Sequence, residues 1–436
     1  LYGRCGHSCP GNIGVPGTPD EKRIPIRGGI WRYHPERKTV EVLTHGTINP
    51  WGHDWDEHGE LFFINTVIGH CWHAFPGAHH AERSSKGSPN PLIFERLHQH
   101  ADHFHWDTSG AWHQSRDGKA NDFGGGHAHS GMVIYQGGQF PSEWNGKLLT
   151  LNLHGRRTNR ERLERRGSGY VARHEPDVFI TGDEWFRGID IRTGPEGSLY
   201  ILDWSDIGEC HEHTGVHRQS GRIFRISHGE PEKPDLALFE DPSPADVVAA
   251  IKHPNPWYER RMRNRLAGSK ASRELVVELN GLLDSGADTK TRLRALWSLQ
   301  GLAALDEERL QVLLEDRDEH VRVWAIRLLL DDWPLDTIFG PPPEAREEFD
   351  LSNNSDLSRT LRLIARDDPS ALVRLTLASS LQRVPLSERK GIGTALALHG
   401  ADAKDHNLPA MVWYGLHPLA DSSPGDLMFV ARHSVW

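Results

Sequence analysis

The spacing of apolar residues changes once along this chain, near residue 230, and that change limits the fold more than any other feature. Upstream, a turn glycine is repeatedly followed by a short apolar run, as in Gly59-Glu60-Leu61-Phe62-Phe63-Ile64, Gly146-Lys147-Leu148-Leu149 and Gly197-Ser198-Leu199-Tyr200-Ile201. Glycine supplies the left-handed backbone conformation that such turns need before a strand. Gly29-Ile30-Trp31-Arg32-Tyr33 is echoed by Gly221-Arg222-Ile223-Phe224-Arg225, and Leu1-Tyr2-Gly3 reads as the tail of a further strand. Turn and strand recurring at tens of residues is the rhythm of a β-propeller. Downstream of Pro231-Glu232-Lys233-Pro234 the period becomes helical. Asp288–Leu299, Asp318–Leu329 and Leu372–Leu381 align on an Arg followed by a small or apolar residue three positions later, and Leu408–Leu416 is a weaker copy. Such units bury their apolar faces only against one another, so an array of HEAT type is expected.

The expected fold class is multidomain β plus α. A partial β-propeller covers residues 1–229 with its front blades missing, a linker covers 230–242, and a HEAT-type α-solenoid covers 243–436 as a right-handed stack. Pro341-Pro342-Pro343 breaks that array, and Ala295, Ala325 and Leu377 fall at equivalent buried positions. A length of 436 residues suits two domains. The net charge of −10 argues against a nucleic-acid partner, and no apolar run is long enough to span a membrane. Both ends read as cut, which puts any targeting segment upstream of Leu1. Cys5 and Cys9 are spaced Cys-x-x-x-Cys, so no haem c is attached there; a disulfide among Cys5, Cys9, Cys71 and Cys210 is open.

Histidine is the compositional outlier. There are 28, and 22 of them precede residue 230. Gly124-Gly125-Gly126-His127-Ala128-His129 is the sharpest local signal: His127 and His129, two apart in an extended strand, point to one face and suit a metal. His70-Cys71-Trp72-His73 and Cys210-His211-Glu212-His213 are read as polar loops. His98, His100, His103 and His105 are read as one solvated face of a long loop. Asp203-Trp204-Ser205-Asp206 sets carboxylates beside an indole: Asp206 is taken as a catalytic candidate, Asp203 as a turn cap and Trp204 as packing between blades. The basic run Arg156–Arg166, with six Arg and two Glu, is read as a solvated loop or a face for an acidic partner. Trp297 and Trp324 are assigned to the helical core, and Arg292, Arg322 and Arg374 are expected to pair with acidic residues of the adjacent turn.

Three segments carry a family resemblance: His45-Gly46-Thr47-Ile48-Asn49-Pro50-Trp51-Gly52, the Gly124–Gly131 stretch and Asp203–His211, with Asp405-His406-Asn407-Leu408-Pro409 marking the helical part. They resemble the large secreted "membrane-bound dehydrogenase" proteins of planctomycetes and verrucomicrobia, in which a propeller like that of glucose or sorbosone dehydrogenase precedes HEAT repeats and often a cytochrome c domain. The resemblance implies a quinoprotein-type oxidoreductase, periplasmic or secreted. It would oxidise a sugar or alcohol with pyrroloquinoline quinone and Ca²⁺, pass electrons to a cytochrome c or haem c domain outside this chain, and dock a protein partner on the HEAT surface. It further implies a general-base His upstream of Leu1 and cofactor contacts from Asn49, Trp51, His154 and Arg187. Ile48 stands where the family's turn carries Arg, and His154 stands near where it carries Lys. Asn49, His127, His129 and His154 are expected to converge on one cleft lined by Trp51 or Trp185. The alternative is a non-catalytic glycan- or protein-binding propeller on a HEAT scaffold, and a metal-dependent hydrolase or lyase built on the histidines is a third reading.

Overall fold

The computed structural model describes residues 1–66, 69–81, 95–103, 128–207, 217, 219–336 and 355–436. The expectations placed on Gly124–His127, Cys210–His213, His105 and Pro341–Pro343 lie outside the described residues.

The first half is built of strands. A sheet of β1 (Tyr2–Cys5), β4 (Gly29–His34), β5 (Thr39–Gly46) and β9 (Ala78–His80) is antiparallel except for β9, which runs parallel to β5. A hairpin of β2 (Gly11–Ile13) and β3 (Ile24–Ile26) packs beside it. Three antiparallel sheets follow in chain order: β6 (Pro50–Trp55), β7 (Leu61–Asn65) and β8 (Cys71–Ala74); β10 (His129–Ile134), β11 (Lys147–Asn152), β12 (Arg157–Arg166) and β13 (Gly169–Val178); and β14 (Gly188–Thr193), β15 (Leu199–Asp203) and β16 (Arg222–Ile226). Each sheet opens on its first strand, and β6 lies against β10 as β10 lies against β14. Two glycines permit this. A Cβ on Gly52 would stand 2.6 Å from that of Met132, and one on Gly131, at φ +63°, would stand 2.5 Å from the Cα of Asp190. Backbones can approach that closely only where no side chain intervenes.

The second half is helical. Helices Thr289–Gly301, Glu319–Leu329, Ala371–Ser380 and Leu408–Leu416 lie side by side in one row. Ala295 and Ala325 are 0% exposed and Leu377 1%, so the apolar stripes read from the sequence form the core. The recurrent arginines pair with acidic residues that lie ahead of the next helix in the row. Arg292 grips Asp316, Arg322 grips Asp368 and Arg374 grips Asp402, each through two guanidinium nitrogens. Arg322 also donates to the carbonyl of Asp316, and Arg374 to that of Asp368. The ladder ties each helix to the start of a later one, which side-chain spacing within a single helix could not show. Between the halves, residues 231–243 hold one short 3-10 turn, Ala237–Phe239.

The helical row covers the sheets, and charges buried there are matched. Arg327 donates to Glu60, Arg260 to Asp54 and Arg383 to Glu41. Trp324 donates its indole N–H to the carbonyl of His58, and Trp297 and Trp324 close over Gly59. The two indoles are therefore half-buried at the sheet–helix contact instead of lying inside the helical core.

Three further expectations are corrected. The basic run Arg156–Arg166 is mostly strand β12, whose cations pair across to β13, Arg157 with Asp177 and Arg160 with Glu175. Cross-strand neighbours lie close enough for such pairs, while Arg162 pairs with Glu164 of its own strand and Arg165 with Glu319 of a helix. His70-Cys71-Trp72-His73 is no polar loop: residues 71–74 are a fully buried strand. The segment 97–103 is no solvated loop either. It bridges two sheets, with Leu97 beside His80 and Ala101 beside Ala172, and His100 is buried while His98 is exposed. Cys5, Cys9 and Cys71 are free thiols.

Candidate functional site

The antiparallel order brings one end of each sheet to a common edge. The starts of β6, β10 and β14 adjoin the ends of β7, β11 and β15. A backbone relay joins three of the loops there. Thr66 N–H donates to the Asn49 carbonyl at 2.9 Å, His129 N–H to the Thr66 carbonyl at 3.3 Å, and Leu153 N–H to the Ala128 carbonyl at 2.9 Å. The loops of Asn49, His129 and His154 are thus neighbours in the backbone. His154 is buried in a turn that Asn152 closes by accepting from the Gly155 N–H at 2.8 Å, and the Asn152 amide lies 3.3 Å from His129 Nε2. His127 lies outside the described residues.

Two indoles flank the start of β14 at this edge. Trp51, 48% exposed, donates Nε1–H to the Ile189 carbonyl at 3.2 Å. Trp204, 52% exposed, is tied through its backbone N–H to the Arg187 carbonyl at 2.8 Å, so it does not pack between sheets. Asp206 accepts from the Trp204 indole at 3.3 Å and is itself anchored by its N–H on the Trp185 carbonyl. Asp203 is structural: it accepts from the N–H groups of Arg187 and Ser205 and from Arg222. Arg187 is buried, with its guanidinium donating to the carbonyls of Glu184, Phe186 and Ile207.

Away from this edge, histidines gather around two buried carboxylates, Glu60 at the opposite end of β7 and Glu161 between the β6–β8 and β10–β13 sheets. Glu60 accepts from His73 at 2.7 Å. Glu161 of β12 faces three imidazoles: His70 Nε2 at 3.3 Å, His174 Nδ1 at 3.7 Å and His103 Nε2 at 4.0 Å from Oε1. Burial lowers the pKa of several imidazoles of this half. The His45 pKa is pushed down to about 4 and those of His79 and His100 to about 3, with neighbouring positive charge adding to burial at the last two. His174 goes the other way: burial opposes its charged form, but the neighbouring Glu161 carboxylate raises it. From the sequence alone Glu161 has no role of its own, while His70 falls in an expected polar loop and His103 on an expected solvated face. Glu161 is hidden in a run of arginines, and His103 in a histidine tract that looks solvated until the sheets are assembled.

A family model described as "Domain of unknown function (DUF7133)" matches residues 1–230, more than half of the chain. The chain belongs to the DUF7133 family. No curated protein matches it. Among solved structures it is similar to the PQQ-bound form of aldose sugar dehydrogenase from Streptomyces coelicolor, at 20% identity over 50% of this chain and 57% of that one, TM-score 0.31. It is similar to a glucose dehydrogenase at 17% identity over 51% and 62%, TM-score 0.30. The apo-form of the soluble aldose sugar dehydrogenase of Escherichia coli matches at 19% identity over 43% and 47%, TM-score 0.27. This DUF7133 chain spans between 47% and 62% of the length of those three structures. At this level the likeness transfers no activity to it. No helix among the described residues is long and apolar enough to cross a membrane.

Proposed function

We propose that this chain is the sugar- or alcohol-handling part of an oxidoreductase of quinoprotein type, extracytoplasmic, with the edge at the starts of β6, β10 and β14 as its substrate end. In this reading the sheets over 1–229 are blades of a partial propeller, and the helices over 243–436 are a HEAT-type scaffold for a protein partner. One observation carries the substrate class: the exposed indoles of Trp51 and Trp204 flank β14, with the Asp206 carboxylate beside the second. An indole face covers the C–H face of a sugar ring while a carboxylate accepts from its hydroxyls.

Among the described residues, the two arginines nearest the start of β14 do not offer a carboxylate-bearing quinone the cationic contacts that the family resemblance implies. Arg187 is enclosed by three carbonyls, and Arg222 is matched by Asp183 and Asp203, so neither presents a cation to the edge. No step is derived through pyrroloquinoline quinone, Ca²⁺ or haem. The direct competitor is the second reading, a non-catalytic glycan-binding module. Tryptophan-fluorescence titration with a panel of aldoses and polyols, beside dye reduction after loading with the quinone and Ca²⁺, separates them. The oxidoreductase reading expects both signals, with Trp204→Ala and Trp51→Ala weakening binding by roughly tenfold each, the worth of one stacked contact. Binding without dye reduction establishes the glycan module, and neither signal overturns the substrate class.

A further inference from the structure

The cluster around Glu161 sets three imidazoles about one carboxylate oxygen at distances longer than a direct hydrogen bond. Where an imidazole hydrogen-bonds a carboxylate directly, the two atoms are 2.7 Å apart, as in His73–Glu60 and His103–Asp102. Around Glu161 Oε1 the imidazole nitrogens stand back at 3.3, 3.7 and 4.0 Å. Donors bound about 2.0–2.1 Å from one tetrahedral ion lie roughly 3.4 Å from each other. One donor atom each from His70, His103 and Glu161 falls within 4.8 Å of the other two, so a small inward movement of the rings brings all three onto one ion. The 4.0 Å pair has to close by roughly 0.6 Å to reach that tetrahedral spacing.

The surrounding residues hold those donors in place. Asp102 accepts from His103 Nδ1 at 2.7 Å, which fixes the tautomer and leaves Nε2 to face Glu161. Asp102 is itself held by Arg173 at 2.8 Å. A carboxylate behind a ligating imidazole is a recurrent device of metal sites. The Gln99 side chain clamps the two histidine backbones: its Oε1 accepts from the His70 N–H at 3.0 Å, and its Nε2 donates to the His103 carbonyl at 2.9 Å. Glu161 is fixed by the β12–β13 register, directly opposite His174. Three elements far apart in sequence thus deliver the donors to one buried point.

We infer that His70 Nε2, His103 Nε2 and Glu161 Oε1 form a binding site for one divalent transition metal of borderline softness, of which Zn²⁺ is the test case. Two imidazoles and a carboxylate suit such ions and leave room for a further ligand, beside which His174 presents Nδ1. The inference does not rest on the substrate edge, which lies at the indoles.

The test uses the whole chain, stripped with a chelator and titrated with Zn²⁺ by calorimetry, and with Co²⁺ by visible absorption. The expected result is one saturable equivalent of Zn²⁺, with d–d bands from Co²⁺ that Zn²⁺ displaces. Glu161→Gln should abolish that equivalent while far-UV circular dichroism stays unchanged. Asp102→Asn, at a half-exposed position that tolerates change, should weaken Zn²⁺ binding roughly 10–100-fold. His320→Gln, at the sheet–helix contact, should leave it unaltered. If Glu161→Gln does not fold, Asp102→Asn decides the matter. A wild-type chain that takes up no saturable Zn²⁺ overturns the site, and so does a folded Glu161→Gln or Asp102→Asn variant that binds as tightly as wild type.

Discussion

The Glu60 carboxylate is the most consequential charge where the helices meet the sheets, and removing its cation gives a measurable loss. Glu60 is fully buried, just ahead of β7, and its Oε2 accepts from His73 at 2.7 Å and from Arg327 of the helix Glu319–Leu329 at 2.8 Å. Burial alone would raise the Glu60 pKa, but the Arg327 charge and the His73 hydrogen bond outweigh it and hold the carboxyl well below the usual range. Arg327→Met keeps most of the side-chain stem and removes the cation. Breaking one side of a buried pair costs about 3–5 kcal/mol, because the remaining charge is left uncompensated. His73 still donates, so the lower end, about 3 kcal/mol at pH 7, is expected. The sign with pH follows from the depressed value. In the wild type this carboxylate's contribution is complete above about pH 4.3, the unfolded value, and is lost as pH falls through the folded one. In Arg327→Met, Glu60 takes up a proton more readily, so the difference from wild type narrows between pH 7 and 5. Urea denaturation followed by tryptophan fluorescence and far-UV circular dichroism reads both effects, and Glu60→Gln combined with Arg327→Met should recover more than half of the loss. A penalty below about 1 kcal/mol at pH 7 would refute the claim that this pair is desolvated.

Gly46→Ala should destabilise the chain by about 2–4 kcal/mol in the same urea experiment, since Gly46 sits at φ +90° with the His80 carbonyl oxygen 1.9 Å from any Cβ, and backbone cannot yield as a side chain can; an unchanged midpoint would mean the β5–β9 pairing is misplaced. Stability should also fall steeply as pH drops from 6.5 toward 4. The His45 pKa is pushed down to about 4, that of His79 to about 3, and that of His53 to about 3 by burial and then by Arg4. The folded state therefore stays neutral where the unfolded state, at the ordinary 6.5, takes up protons, and each such ring costs about 1.4 kcal/mol per pH unit over that window. Urea midpoints between pH 7 and 4.5 check this, and His45→Gln should remove about one proton's share of the slope.

The local parts of this structure were legible in the residues, because their causes are local. Gly59, Gly146 and Gly197 take φ of +77°, +75° and +81° at the turns where the sequence places them before strands. Ala295, Ala325 and Leu377 are buried because a helical period of apolar residues puts one face inward whatever its partner is. Pairings that depend on which element comes to lie alongside were not legible. Arg292, Arg322 and Arg374 read as partners for acids of an adjacent turn, and only packing identifies those acids as Asp316, Asp368 and Asp402. Trp204 looks like packing until β15 ends with its indole facing solvent. Glu161 reads as one acid among six arginines, yet the two-residue alternation of β12 turns it inward while Arg160 and Arg162 find partners outside. A strand's alternation is written in its residues, but which face is covered is decided by the sheet that lands on it. Only the tertiary structure could therefore bring His70, His103 and Glu161 to one point.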